Sequence, residues 1–167
     1  MNVLEHLEPK SVFRFFEEMC AIPHGSRNTK AVSDWCADFA RTRGLEYHQD
    51  GDNNIIIIKE AAPGYEAAPP VILQGHLDMV CEQTADCQKD MSREGLDLAV
   101  DGDFVYAKGT TLGGDDGIAV AMALALLDAK DLPCPRLEAV LTVDEEIGML
   151  GADVIDLSEL KGRTMIN

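Results

Sequence analysis

Three short stretches hold residue types that do chemistry. LQGHLDMV (73–80) ends an apolar run with His76 and Asp78, two residues apart. On an extended strand, side chains at i and i+2 point the same way. TLGGDDGIA (111–119) sets Asp115 and Asp116 on a Gly-rich turn, and LTVDEEIGM (141–149) sets Asp144, Glu145 and Glu146 after an apolar run. No Lys or Arg lies within any of the three. Carboxylates brought together without a cation repel, and some stay protonated. A divalent metal removes that repulsion, because it is then the largest local charge. An imidazole with carboxylates suits zinc, with manganese or cobalt as alternatives.

Each stretch alone also has an ordinary reading. Asp115 and Asp116 at a helix start could serve only as caps that complement the helix dipole. The acidic run at 144–146 could be a solvated turn, and a single histidine is commonly structural. Gly113-Gly114 lacks the lysine that a phosphate-binding loop requires. His6, His24 and His48 have no comparable company and read as structural.

The elements that must place these residues alternate. A helix is expected over Ser11–Cys20, where Val12, Phe15, Phe16 and Met19 recur at helical spacing. A second spans Asn28–Arg43, with Asn28 as N-cap and Gly44 in the C′ position. Strands are expected over 45–49 and 54–59, joined by Asp50-Gly51-Asp52. The run Ile55–Ile58 suits a strand buried on both faces. After a Pro/Gly/Ala loop comes a strand over 71–75. A polar loop covers 81–95, and a hairpin turns at Asp101-Gly102. The remaining expectations are an apolar helix over 117–130, a strand over 137–143, a helix over 150–160 and a strand over 163–167. The class is α/β: a mixed central sheet flanked by helices. All three acidic stretches then fall at strand ends or helix starts, where open α/β sheets carry their sites.

Bulk properties narrow the function. The 167 residues are one domain's length, and a hydrophobic fraction of 46% is that of a folded chain. A net charge of −16, with scattered Lys and Arg, argues against a nucleic-acid surface and against anionic membranes. No apolar run approaches the roughly 18 residues of a membrane span. The first ten residues have neither the basic head nor the apolar core of a secretory leader. Five cysteines without a CxxC pair read as reduced thiols, which points to the cytoplasm.

Taken in order, HLDMV, GGDDG and DEEIG resemble the di-zinc metallopeptidase and amidohydrolase clan. That clan includes carboxypeptidase G, carnosinase-like dipeptidases and acetylornithine deacetylase. The longer wording LQGHLDMV, TTLGGDDGIA and LTVDEEIGMLGA looks like its aminoacyl-histidine (Xaa-His) dipeptidase branch. The resemblance implies a zinc-exopeptidase fold, with residues 1–167 as the N-terminal portion of the catalytic domain and the lid domain absent. His76 then matches a ligand to one zinc, and Asp78 the aspartate that orients it. Asp115 matches the carboxylate bridging both metals, with Asp115–Asp116 a candidate non-proline cis peptide. Glu145 matches the general base and Glu146 the ligand to the second zinc. The implied activity is metal-assisted hydrolysis of dipeptides such as β-alanyl-histidine, by a protein that is often a homodimer. Within these residues each zinc has two side-chain ligands, short of the three that a catalytic zinc usually has. This chain alone is therefore expected to be inactive or nearly so. Two other readings are a related aminopeptidase or N-deacylase, and a non-catalytic metal-binding or interaction module.

Overall fold

The computed structural model describes residues 3–167; Met1 and Asn2, the start of the stretch read for a leader, lie outside the described residues. In chain order the elements are α1 (Lys10–Cys20), α2 (Lys30–Arg43), β1 (Glu46–Gln49), β2 (Ile55–Lys59), β3 (Val71–His76), β4 (Leu98–Asp101), β5 (Phe104–Ala107), α3 (Gly114–Asp128), β6 (Leu137–Thr142), α4 (Leu150–Val154) and β7 (Thr164–Ile166). The main sheet runs β1-β2-β6-β3-β7, and β4-β5 form a separate hairpin. β2 pairs antiparallel with both β1 and β6, whereas β6, β3 and β7 are mutually parallel. The class read from the sequence, a mixed sheet with helices, is therefore the observed one.

Alternation along the central strands divides the core in two. Ile55, Ile57, Leu73, Ala139 and Leu141 face one side and pack with Phe15, Phe16, Met19, Val32, Phe39, Val120 and Leu124 of the three long helices. Ile56, Ile58 and Val140 face the other, where Ile72, Ile155 and Leu160 form a smaller cluster. All four isoleucines of β2 are buried, as a strand enclosed on both faces requires. The second face is thinly covered: Leu157, Met165 and Ile166 remain exposed there or on the neighbouring edge.

The helix expected over 150–160 is corrected to Leu150–Val154. Ile155 turns extended, and the Asp156 carboxylate accepts the Ser158 N–H at 2.9 Å. A local side-chain acceptor of this kind competes with helical pairing. At α2 the cap position falls to Thr29 rather than Asn28, whose side chain donates to the Ser92 carbonyl. Gly44 takes the left-handed conformation expected of it, with φ 66°.

Candidate functional site

β3 and β6 lie side by side and in register, Gly75 opposite Leu141 and His76 opposite Thr142, so their carboxyl ends open at one edge. His76 is the last residue of β3. The Leu77 N–H bonds to the Thr142 carbonyl and the Met79 N–H to the His24 carbonyl, which carries the extended chain onward through Asp78. Asp78 is 1% exposed. The His76 Nδ1 edge faces Asp78, 2.9 Å from its carbonyl and 3.5 Å from Oδ1. That leaves Nε2 facing the cleft, 3.3 Å from Asp115 Oδ1 and 3.8 Å from Glu145 Oε2.

Asp78 also holds the acidic turn. Its Oδ1 accepts the Glu145 N–H at 3.0 Å and its Oδ2 the Glu146 N–H at 3.3 Å. Ser26 Oγ donates to the same Oδ2 at 2.8 Å. β6 ends at Thr142, and Asp144 takes φ 56°, which turns the chain so that adjacent glutamates reach one centre. One donor atom each of His76, Glu145 and Glu146 lies within 4.8 Å of the others. Asp144 turns aside instead, accepting the Arg27 N–H at 2.6 Å.

Gly113, at φ 66°, leads into α3, and Asp115 and Asp116 keep non-helical backbone there. Neither makes the side-chain cap that the ordinary reading expected. The Asp115–Asp116 peptide is cis, and the Asp115 side chain is largely exposed over the cleft. Asp116 has a backbone partner rather than a place in the cleft's ion pairs. Its Oδ2 accepts the His76 N–H at 3.2 Å. A Cβ at Gly75 would stand 2.8 Å from that oxygen, so glycine admits the contact. Ser26 and Asp116 escape a motif reading because their partners lie 52 and 40 residues away.

The electrostatics follow from this crowding. Burial disfavours imidazolium, but the Asp78 carboxylate and carbonyl, together with the Asp116 charge, raise His76 to about 9. Burial works against ionised Asp78 too, yet its bonds to His76, Ser26 and the two glutamate amides lower it to about 2. Asp116 is raised, by burial first and by the charges of Asp115 and Glu145 next. Among the described residues, the ion-pair partner of Asp78, Asp115 and Glu145 is His76, with no Lys or Arg in reach.

This donor set fits a divalent metal. An imidazole tautomer is fixed through one nitrogen while the other faces carboxylates, the arrangement typical of a metal-binding histidine. The two strand ends and the α3 turn floor a cleft of about 530 Å³, lined also by Gln74, Thr142, Met149 and Asn167. His24 is buried with Nδ1 2.6 Å from the Ile22 carbonyl, consistent with its structural reading. All five cysteines are free, and no helix among the described residues is long and apolar enough to cross a membrane.

No family model matches the chain. It is 36% identical to the cytosol non-specific dipeptidase of Escherichia coli over all 167 residues, which make up 34% of that protein. The aminoacylhistidine dipeptidase of Vibrio alginolyticus superposes with a TM-score of 0.93 at 37% identity, over 97% of this chain and 33% of that one. A tripeptidase from Staphylococcus aureus shares the fold at TM-score 0.75 and 20% identity, over 93% of this chain and 42% of that one. The likeness first seen in three motifs therefore extends in sequence and fold along the whole chain. The chain spans about a third of the length of its two nearer relatives named here.

Proposed function

We propose that this chain carries the metal-binding and base portion of a metallo-dipeptidase site. One observation supports this above the others: His76 Nε2 lies 3.3 Å from Asp115 Oδ1 and 3.8 Å from Glu145 Oε2 in the cleft, with no Lys or Arg among the described residues paired to either carboxylate. Likeness to two dipeptidases supplies the reaction class. In this reading His76, Asp115 and Glu146 would hold the zinc pair. When bound, the zinc pair (or manganese or cobalt) would supply Lewis acidity and an acidified water.

The chain's own residues do the rest. Asp78 fixes the His76 ring so that Nε2 presents its lone pair, and its two oxygens hold the glutamate turn by the backbone. Glu145 takes the proton of the attacking water and returns it to the leaving amine. Asp116 anchors the His76 backbone, which fixes the ligand from behind.

Xaa-His dipeptides, β-alanyl-histidine among them, are the favoured substrates, from the likeness to the Vibrio enzyme. The name of the Escherichia coli relative favours a second reading, a broader dipeptide range. A cytoplasmic location is part of the proposal, as is a homodimer. With two side-chain donors per zinc within these residues, the remaining ligands come from outside them. A chimera in which this chain replaces the matching third of the Escherichia coli dipeptidase tests the reading. It should hydrolyse dipeptides, and Glu145→Gln should remove turnover while zinc stays bound. A folded, zinc-loaded chimera without hydrolysis would instead make this a non-catalytic metal-binding module.

A further inference from the structure

The turn that carries both glutamates is tied at its base by a residue outside all three motifs. Asn54, immediately before β2, is 1% exposed. Its Oδ1 accepts the Val143 N–H at 3.1 Å, and its Nδ2 donates to the Gly151 carbonyl at 3.1 Å. Val143 and Gly151 bracket residues 144–150 and are themselves joined by the Gly151 N–H to the Val143 carbonyl at 3.0 Å. A Cβ at Gly151 would land on Asn54 Oδ1 and on the Val143 backbone, so only glycine lets the two ends of the turn close on the amide. Asp50 fixes Asn54 in turn: Oδ1 accepts its N–H at 2.9 Å and Oδ2 its Nδ2–H at 2.8 Å.

Such a clamp has work to do. Asp144, Gly148 and Met149 all have positive φ, at 56°, 117° and 61°. Two of these are not glycine, so the turn has a backbone that local preference disfavours. It must be held from outside. Asp78 holds its tip through the Glu145 and Glu146 amides, and Asn54 closes its base. A neutral amide suits the base because it accepts and donates at once, whereas an ionised aspartate only accepts.

We propose that Asn54 is a positioning residue, which clamps Val143 to Gly151 so that Glu145 and Glu146 arrive together at His76. The proposal rests on the roles given to these glutamates above. Two readouts test it on this chain. The first is amide hydrogen exchange at Glu145, Glu146 and Gly151 in metal-free protein. The second is a zinc titration. Asn54→Ala and Asn54→Ser are compared with Val32→Ala, a buried change in α2 that lowers stability without touching the turn. Asn54→Ser is uncharged and too short to span Val143 and Gly151 together, and is the variant read if Asn54→Ala does not fold. Protection at the three amides should fall about tenfold in the Asn54 variants, the effect of one hydrogen bond of ordinary net strength, and hold in Val32→Ala. Zinc affinity should fall about 10- to 100-fold, as for other residues that orient metal ligands. Unchanged protection relative to Val32→Ala overturns the clamp. Lost protection with undiminished zinc affinity overturns its positioning role. If the parent chain binds no zinc, the affinity comparison is made in the dipeptidase chimera, which supplies the remaining ligands, and no zinc there overturns the metal reading by itself; the exchange comparison on this chain still decides whether Asn54 holds the turn.

Discussion

The two ends of β6 treat carboxylates in opposite ways. At its start, Glu138 is 0% exposed and fully answered. Arg136 Nε donates to it at 2.8 Å, and the amides of Lys161 and Gly162 donate at 3.0 and 2.9 Å. Arg136 also pairs with Glu60. Burial disfavours ionised Glu138, but these donors outweigh it and hold the carboxyl below its usual range. Past the other end of the same strand, Asp78 is equally buried but answered by a histidine, a serine and amides, while Asp115, Glu145 and Glu146 crowd the same ring. When this chain buries a carboxylate for structure, it supplies an arginine. The crowd beside His76 is built for a cation that is not a side chain.

Breaking the second end where chemistry is proposed should give the largest effect. In the dipeptidase chimera, Glu145→Gln should lower kcat/KM about 10²- to 10⁴-fold, the range for a general base, with zinc content unchanged by metal analysis. Breaking the first end should cost folding instead. Glu138→Ala leaves buried Arg136 with Glu60 alone and the Lys161 and Gly162 amides without their acceptor, and should destabilise by about 3 kcal/mol, read by urea unfolding, with zinc affinity in the folded protein unaltered.

Asp78 links the two behaviours, since it is buried like Glu138 but serves the site. Asp78→Asn should bring the metal-free His76 titration down from about 9 and weaken zinc about 10- to 100-fold, followed by NMR and calorimetry. The sign of the linked stability is fixed by the same shift. Because the folded value of His76 lies above 6.5, its contribution is complete below pH 6.5 and is lost as pH rises through about 9. Metal-free wild type should lose that stability over this window, and Asp78→Asn should not. The smallest effect belongs to the core beneath both ends. Ile57→Val, on the helix-facing side of β2, should cost about 0.5–1.5 kcal/mol and leave zinc affinity alone.

Much of this was legible because motif residues sit where period and punctuation are clear. Val71–Gly75 and Leu137–Val143 are largely apolar stretches that stop at His76 and Asp144, so both strand ends and their cargo could be read together. What escaped depends on contacts distant in sequence. Asn54 reads as the first residue of the strand expected over 54–59, yet its side-chain partners lie 89 and 97 residues on. Asp116 looks like the twin of Asp115, but it bonds to the His76 backbone while Asp115 faces the imidazole. The helix from Leu150 stops after five residues because Asp156 offers its carboxylate to Ser158, a local competition that apolar periodicity does not register.

The most direct measurement is a calorimetric zinc titration of the metal-stripped dipeptidase chimera beside its His76→Ala and Asp115→Ala variants. Zinc binding in the parent chimera, abolished in both variants while their folds persist, is the expected result. A folded parent chimera that takes up no zinc, or variants that bind it equally well, would contradict the metal centre.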